Sequence, residues 1–375
     1  MVVQVVAGDD ALHRLGPALD DLMRVTHTPL VARRPWLQAW VDSYPSFNPA
    51  VVVVRGVTGQ LEAAAPLGTR RRGRVLQVVN LGQGPSDAAM LPSRTSASAD
   101  TLAQGVADWL DDAARTWSLS LRHLVRDDSV APALQQRLDR VRLDQGAILP
   151  QLQVTEGPAL SHYVSSRHGQ EVRRRRRRMV KDGLDPCVEH AKTYDAVLSL
   201  LPEMERVFRA RDAALGRPCA LDHESHGAFF REVVRDHASR GEVKITALRL
   251  GGSLAAYVLC FLDGGAHRMW NCRFDPQFGR YSPGMVAMDA SVEEALTSGC
   301  EVYDFMRGDE PYKQSYANRQ ERALDLRAWS SSVLEARFGM WAAARSTAER
   351  LEDRGGRPAR IVSAVRRTSE RVLRL

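Results

Sequence analysis

The passage VVVVRGVTGQLEAAAPLG, residues 51–68, reads as strand, turn and strand, with Gly59 supplying the backbone freedom that the turn needs. Residues 243–276, VKITALRLGGSLAAYVLCFLDGGAHRMWNCRFDP, repeat the device as three strands joined by turns at Gly251-Gly252 and Asp263-Gly264-Gly265. Gly59-Gln60-Leu61-Glu62-Ala63 and Gly252-Ser253-Leu254-Ala255-Ala256 share a G-x-L-x-A pattern at the same turn-to-strand position. That predicts two copies of one α/β unit, and 375 residues are enough for two cores.

Around these hairpins the remaining elements fall into place. Residues 31–44, VARRPWLQAWVDSY, carry Trp36, Leu37, Trp40 and Val41 at helical spacing behind Pro35, a good first-turn residue. RVLQVVNLG reads as a further strand. Pro150, Gly157 and Pro158 mark a boundary, so the expected domains are 1–155, 156–330 and a basic helical tail, 331–375.

Charge and cysteine content limit the function. The tail holds ten arginines against five acids, +5 of the net +7, so the folded body is nearly neutral and is not a strong electrostatic match for nucleic acid. No run of about 18 apolar residues follows the start or occurs elsewhere, which predicts a cytoplasmic chain without a transmembrane segment. Five cysteines without two-residue spacing suggest reduced core thiols. His223 and His226 in DHESH lack the i, i+4 pairing of a helical zinc site, so that segment is expected to be a polar loop and no metal is expected.

A helix from about Ser166 to Lys181, stopped by Gly183, contains six consecutive arginines, Arg173 to Arg178. Six helical residues pass right around the axis, so some arginines must turn inward. Val172, Met179 and Val180 mark an apolar stripe that includes Arg175 and Arg176. Their heads either reach water and local carboxylates or form a phosphate site.

After the strand ending near Phe274, Ser282 is a suitable N-cap and Pro283 a suitable first residue for a helix closed by Gly299. Gly284 and Met285 would present amide hydrogens at its positive end, where an anion can bind. Next come a strand, CEVYDFM, and the crowded polar cluster RGDEPYK.

The arginine helix, the hairpins, YSPGMVAMDASVEEALTSG and YDFMRGDEPYKQSYA together resemble the FemAB-like branch of the GNAT superfamily, and within it the CelD-type acetyltransferases of bacterial polysaccharide biosynthesis. The resemblance covers residues 160–330, and PWLQAWVDSY with the first hairpin is similar to the family's N-terminal half. It implies an α+β fold of two tandem GNAT-like units, each a mixed, mostly antiparallel sheet flanked by helices, with the active site mainly in the second. It also implies transfer of an acyl group, acetyl foremost, from acyl-CoA to an amine on a small molecule or saccharide precursor. Arg280, Ser282, Gly284 and Met285 stand at the pyrophosphate loop, though RYSPGM has one residue more than the usual Q/R-x-x-G-x-G/A and lacks its last small position.

Other members of the branch use aminoacyl-tRNA, which is the alternative donor. A non-catalytic polyanion-binding module built on the arginine helix and tail is the reading from another class. On the transferase reading, strand alternation puts Val302, Asp304 and Met306 on one face, and Asp304 is either a base or an anchor with a cationic partner. The phenol of Tyr312 or Tyr316 could protonate a leaving thiolate, and Lys313, with an exposed head, is expected to stabilise an oxyanion. Asp304, Tyr312 and Lys313 are thus the catalytic candidates. Arg175, Arg176, Tyr257, Trp270 and Arg307 are those for substrate binding.

Overall fold

The computed structural model describes residues 1–340; the rest of the expected tail, 341–375 with Trp341, lies outside the described residues. In chain order the elements are β1 (Val2–Ala7), α1 (Ala11–Val25), α2 (Arg34–Ser43), β2 (Asn48–Arg55), β3 (Leu61–Arg72), β4 (Val75–Asn80), α3 (Ser96–Ala113), β5 (Trp117–Leu124), α4 (Val130–Arg137) and β6 (Val141–Gln153). They continue with α5 (Ser166–Lys181), β7 (Cys187–Ala191), α6 (Tyr194–Ala214), α7 (Glu224–Ser239), β8 (Val243–Leu250), β9 (Ser253–Asp263), β10 (Ala266–Phe274), α8 (Pro283–Thr297), β11 (Val302–Asp304), α9 (Pro311–Gln314) and β12 (Arg319–Trp329).

Two compact units result, but neither is one consecutive stretch of chain. The first comprises Met1–Thr28, Pro45–Gly146 and the residues from Leu324 on, and the second Pro29–Tyr44 and Ala147–Ala323. The passage PWLQAWVDSY, expected in the N-terminal half, therefore belongs to the second unit. Its Trp36 is fully buried there, with ring centroids 5.2 Å from Phe229 of α7 and 5.3 Å from Phe261 of β9. Burying a side chain of that size stabilises the unit by about 2–3 kcal/mol.

Each unit repeats the same topology. In the first, the strands run in the order β1-β2-β3-β4-β5-β12, antiparallel except for β4 beside β5. In the second they run β7-β8-β9-β10-β11-β6, antiparallel except for β10 beside β11. The parallel pair needs a crossover, and α3 supplies it in the first unit and α8 in the second.

The G-x-L-x-A similarity is structural as well. Arg55 pairs with Leu61 and Arg249 with Leu254, each just past a shift in strand register. Each arginine then donates to the carbonyl of its turn glycine, Arg55 to Gly59 at 2.9 Å and Arg249 to Gly252 at 3.1 Å.

The arginine helix spans α5 as expected, with Gly183 left-handed (φ 74°) and Leu184 N–H donating to Met179 carbonyl at 3.0 Å beyond its end. Val172 and Met179 are buried and Arg175 and Arg176 half-buried, but Val180 is 63% exposed and does not belong to the stripe. DHESH is not a loop: His223 stands at the N-cap position of α7 without a side-chain cap, and His226 Nδ1, within the helix, lies 3.3 Å from the Tyr44 hydroxyl. Of the tail residues described, Phe338 packs on Trp329 at 5.3 Å, whereas Val333 is exposed.

Candidate active site

Strands β10 and β11 stay together for only three residue pairs, Ala266–Val302 to Arg268–Asp304. Two local causes separate them. In β10 the register against β9 shifts between Met269 and Asn271, so Trp270 is an extra residue that bends the strand. In β11 the Asp304 carboxylate accepts the Met306 amide at 2.8 Å and Met306 turns left-handed (φ 55°), which ends the strand. Alternation therefore stops at Asp304 and does not reach Met306 or Arg307.

A cavity of about 620 Å³ lies at this gap, wholly within the second unit. Gly284, Met285 and Met288 of α8 and His168 of α5 line one part, and Tyr312, Ser315 and Tyr316 another. Cys272 and Phe274 pack with the core beneath α8, while Arg273 lies 4.4 Å over Phe208 of α6, on the other face of the sheet. All three line the cavity, which thus reaches both faces through the gap.

His168 Nε2 is 2.7 Å from Asp289 Oδ1, and the same oxygen accepts the Tyr316 hydroxyl at 2.5 Å. The rings of His168 and Tyr316 meet edge to face at 5.0 Å. Burial, with Asp289 next, pushes the Tyr316 phenol far above its ordinary pKa, so it remains a donor to the carboxylate. Sequence reasoning missed His168 and Asp289. The available signal was a single carboxylate in the apolar run VAMDASV.

Tyr312 and Tyr257 are sequence candidates that line the cavity, as are Gly284 and Met285. Tyr312 is 38% exposed, and its hydroxyl lies 3.5 Å from Cys272 Sγ. Desolvation foremost, then Cys272, raises its pKa far above the ordinary phenol range. The buried Tyr257 hydroxyl donates to Asn271 at 2.8 Å.

The other candidates are elsewhere. Asp304 is buried and receives Arg268 at 2.8 Å; Arg268 also binds Asp263 at 2.9 Å, and Asp263 binds Arg33 at 2.6 Å. Of its two expected roles, this chain of charges makes Asp304 an anchor between β10, β11 and the segment before α2. Lys313 is not exposed: it is 4% accessible, and its ammonium donates to the Arg307 carbonyl at 2.6 Å and pairs with Glu310 at 3.0 Å. It holds the turn 307–310 closed. The exposed Arg307 side chain does not line the cavity.

Trp270 joins Trp36, Phe230 and Phe261 in an aromatic core, at 5.3–5.5 Å between centroids, and does not reach the cavity. Arg175 binds Glu171 at 2.6 Å and the Arg280 carbonyl at 3.3 Å, so it braces the turn before α8. Arg176 does not line the cavity either. Arg280 is 65% exposed, with its guanidinium 4.7 Å over the Tyr281 ring. Ser282 stands at the N-cap position but is left-handed (φ 52°) and makes no side-chain cap; its carbonyl accepts Met285 N–H at 3.1 Å.

This topology and gap define a tandem GNAT-like α/β protein, the fold of GNAT-type acyl and aminoacyl transferases. Residues 166–314 match the family model of the acetyltransferase (GNAT) domain, which supports an acyltransferase and, in general, acyl-CoA binding.

Among solved structures, FemX is similar at TM-score 0.59 and 8% identity, over 82% of this chain and 95% of that one. The C-terminal domain of a protein assigned as lysylphosphatidylglycerol synthetase from Agrobacterium fabrum aligns at 0.54 and 11%, over 88% and 95%. L-PGS from Bacillus licheniformis aligns at 0.50 and 10%, over 84% and 91%. No curated protein matches the sequence significantly. Among the described residues, no helix is long and apolar enough to cross a membrane and no group of side chains is arranged to hold a metal.

Proposed function

We propose that this chain is a cytoplasmic N-acyltransferase of the CelD type, which moves an acyl group, acetyl foremost, from acyl-CoA to an amine on a small molecule or saccharide precursor. The observation that carries this reading is that one cavity brings together the start of α8, a His–Asp pair and a phenol.

An amine must lose a proton as it attacks a carbonyl. His168, oriented by Asp289 at Nε2, is the acceptor for that proton, and the carboxylate stabilises the imidazolium formed. Tyr312 is the donor to the departing sulfur, since its hydroxyl stands at the cavity wall and a phenol is protonated at neutral pH. Acyl-CoA, when bound, supplies an activated thioester carbonyl and phosphates.

The residues present suit such a donor. Gly284 has no side chain in the cavity wall, and a Cβ there would stand 3.4 Å from Phe274. The first turn of α8, a 15-residue helix, offers the Gly284 amide hydrogen, since Pro283 has none and Met285 N–H is taken by the Ser282 carbonyl.

Calorimetric titration with acetyl-CoA, followed by thiol release on addition of amines, tests the proposal. Binding and amine-dependent release are expected. Binding of an aminoacyl-tRNA in the absence of any acetyl-CoA binding would move the donor to the other class.

A further inference from the structure

We infer that the acceptor amine also carries an anionic group, a carboxylate or a phosphate, bound by Arg273 and Arg211; the inference rests on the proposed acyl transfer. Both side chains line the cavity and are half-buried. Arg211 lies 4.2 Å over the Phe274 ring and Arg273 4.4 Å over Phe208. Among the described residues, no carboxylate pairs with either.

Their neighbours behave differently. Arg206 pairs with Asp275, Arg209 with Glu205 and Asp222, Arg217 with Asp212, and Arg249 with Glu189 and Glu203. Acids are therefore plentiful around α6, and one of them neutralises Arg217, which also lines the cavity, yet the Arg211 and Arg273 guanidinium groups are left to aromatic rings. Glu310 also lines the cavity, but it already neutralises Lys313. The cavity wall keeps an excess of positive charge.

Arg273 is held in place by the backbone beside it. Its Nη1 donates to the Cys272 carbonyl at 2.8 Å, while its Nε is buried without any hydrogen-bond partner. That Nε is sealed from the cavity, so the Nη groups are what Arg273 offers there. A guanidinium held flat on a ring keeps its edge available for two oxygens of one anion.

The position favours the acceptor over the donor. Arg273 is on the α6 face of the sheet, opposite the start of α8 assigned to the donor's phosphates, and Arg211 of α6 reaches through the gap to the Phe274 ring. Arg273 follows Cys272, whose Sγ lies 3.5 Å from the Tyr312 hydroxyl, so it stands at the proposed proton donor's part of the cavity.

The test uses the full chain with acetyl-CoA and three small amines: ethanolamine, β-alanine and phosphoethanolamine. At least one anionic amine is expected to react with kcat/KM about tenfold or more above ethanolamine, a difference carried by KM. Arg273→Gln, and Arg211→Gln as the more conservative second variant, should lose that preference while acetyl-CoA affinity is kept. The relative rates of β-alanine and phosphoethanolamine separate carboxylate from phosphate.

Equal rates for all three amines would overturn the inference, as would loss of acetyl-CoA affinity in Arg273→Gln. Calorimetry with β-alanine and phosphoethanolamine decides the matter if turnover is slow, since binding of neither also overturns it. A wild-type protein that binds phosphoethanolamine but no acetyl-CoA would overturn the donor assignment and leave the anion site standing.

Discussion

His168 and Asp289, 121 residues apart in the chain, meet at 2.7 Å because α5 packs against α8. The contact gives a histidine at the cavity a fixed orientation, which an isolated imidazole would lack. His168→Gln is expected to lower kcat by about 10²-fold or more at saturating acetyl-CoA, with an unchanged circular dichroism spectrum. Asp289→Asn should act through His168 and shift the acid limb of the pH–rate profile. A folded His168→Gln protein with normal turnover would leave the pair a structural one.

Tyr312→Phe removes only a hydroxyl whose neighbour is Cys272. The rate with acetyl-CoA should fall by about 10²-fold and melting should stay the same. Single-turnover kinetics measure this directly. A rate within about twofold of wild type would remove the phenol from the chemistry.

Lys313→Met is expected to act on stability. The substitution deletes the bond to the Arg307 carbonyl and the Glu310 ion pair inside a nearly closed turn, at a cost of about 1–3 kcal/mol. Urea denaturation reads this as a lower midpoint. Wild-type stability combined with a large loss of rate would restore the oxyanion role expected from the sequence.

Stability should fall as pH drops from 6.5 to about 4. Burial foremost, then Lys244 and Lys192, lowers the His267 pKa from 6.5 to about 4, and Lys244 Nζ donates to His267 Nδ1 at 3.0 Å. The facing groups are these two lysines, Glu294, which pairs with both, and the Tyr303 ring. In that window the unfolded chain binds the extra proton and the folded one does not, so the loss grows with acidity to about 2 kcal/mol. His267→Gln should flatten that part of a pH–stability curve.

Gly284→Val is expected to weaken acetyl-CoA binding by about tenfold or more, roughly 1.4 kcal/mol, without unfolding the unit. A first Cβ makes only an ordinary 3.4 Å contact with Phe274, and further methyl groups would enter the cavity. Titration of the variant reads the affinity. No change would place the phosphates away from α8.

The hairpins, α5 with its Gly183 stop and α8 with its Gly299 stop were legible because they depend on local rules: alternation, helical spacing, and the left-handed backbone of glycine. The repeat was legible for the same reason, since G-x-L-x-A fixes a turn and the first strand residues after it. Tyr312 and Gly284 could be placed at the site through their position after a strand or a loop. Assignment of α2 could not be read, because its apolar face would suit any core and only Phe229 and Phe261 select the second unit.

Side-chain partnership was decided by tertiary structure alone. Asp304 meets Arg268, and Lys313 turns inward to the Arg307 carbonyl and pairs with Glu310, so two residues that looked catalytic in a charged cluster are neutralised by neighbours. Arg211 and Arg273 are left at the cavity without a carboxylate among the described residues. Local sequence determines which backbone forms, because each hydrogen-bond ladder repeats over a few residues. Which charge faces which depends on contacts such as His168 to Asp289, and only the packed chain brings those atoms within a few ångströms.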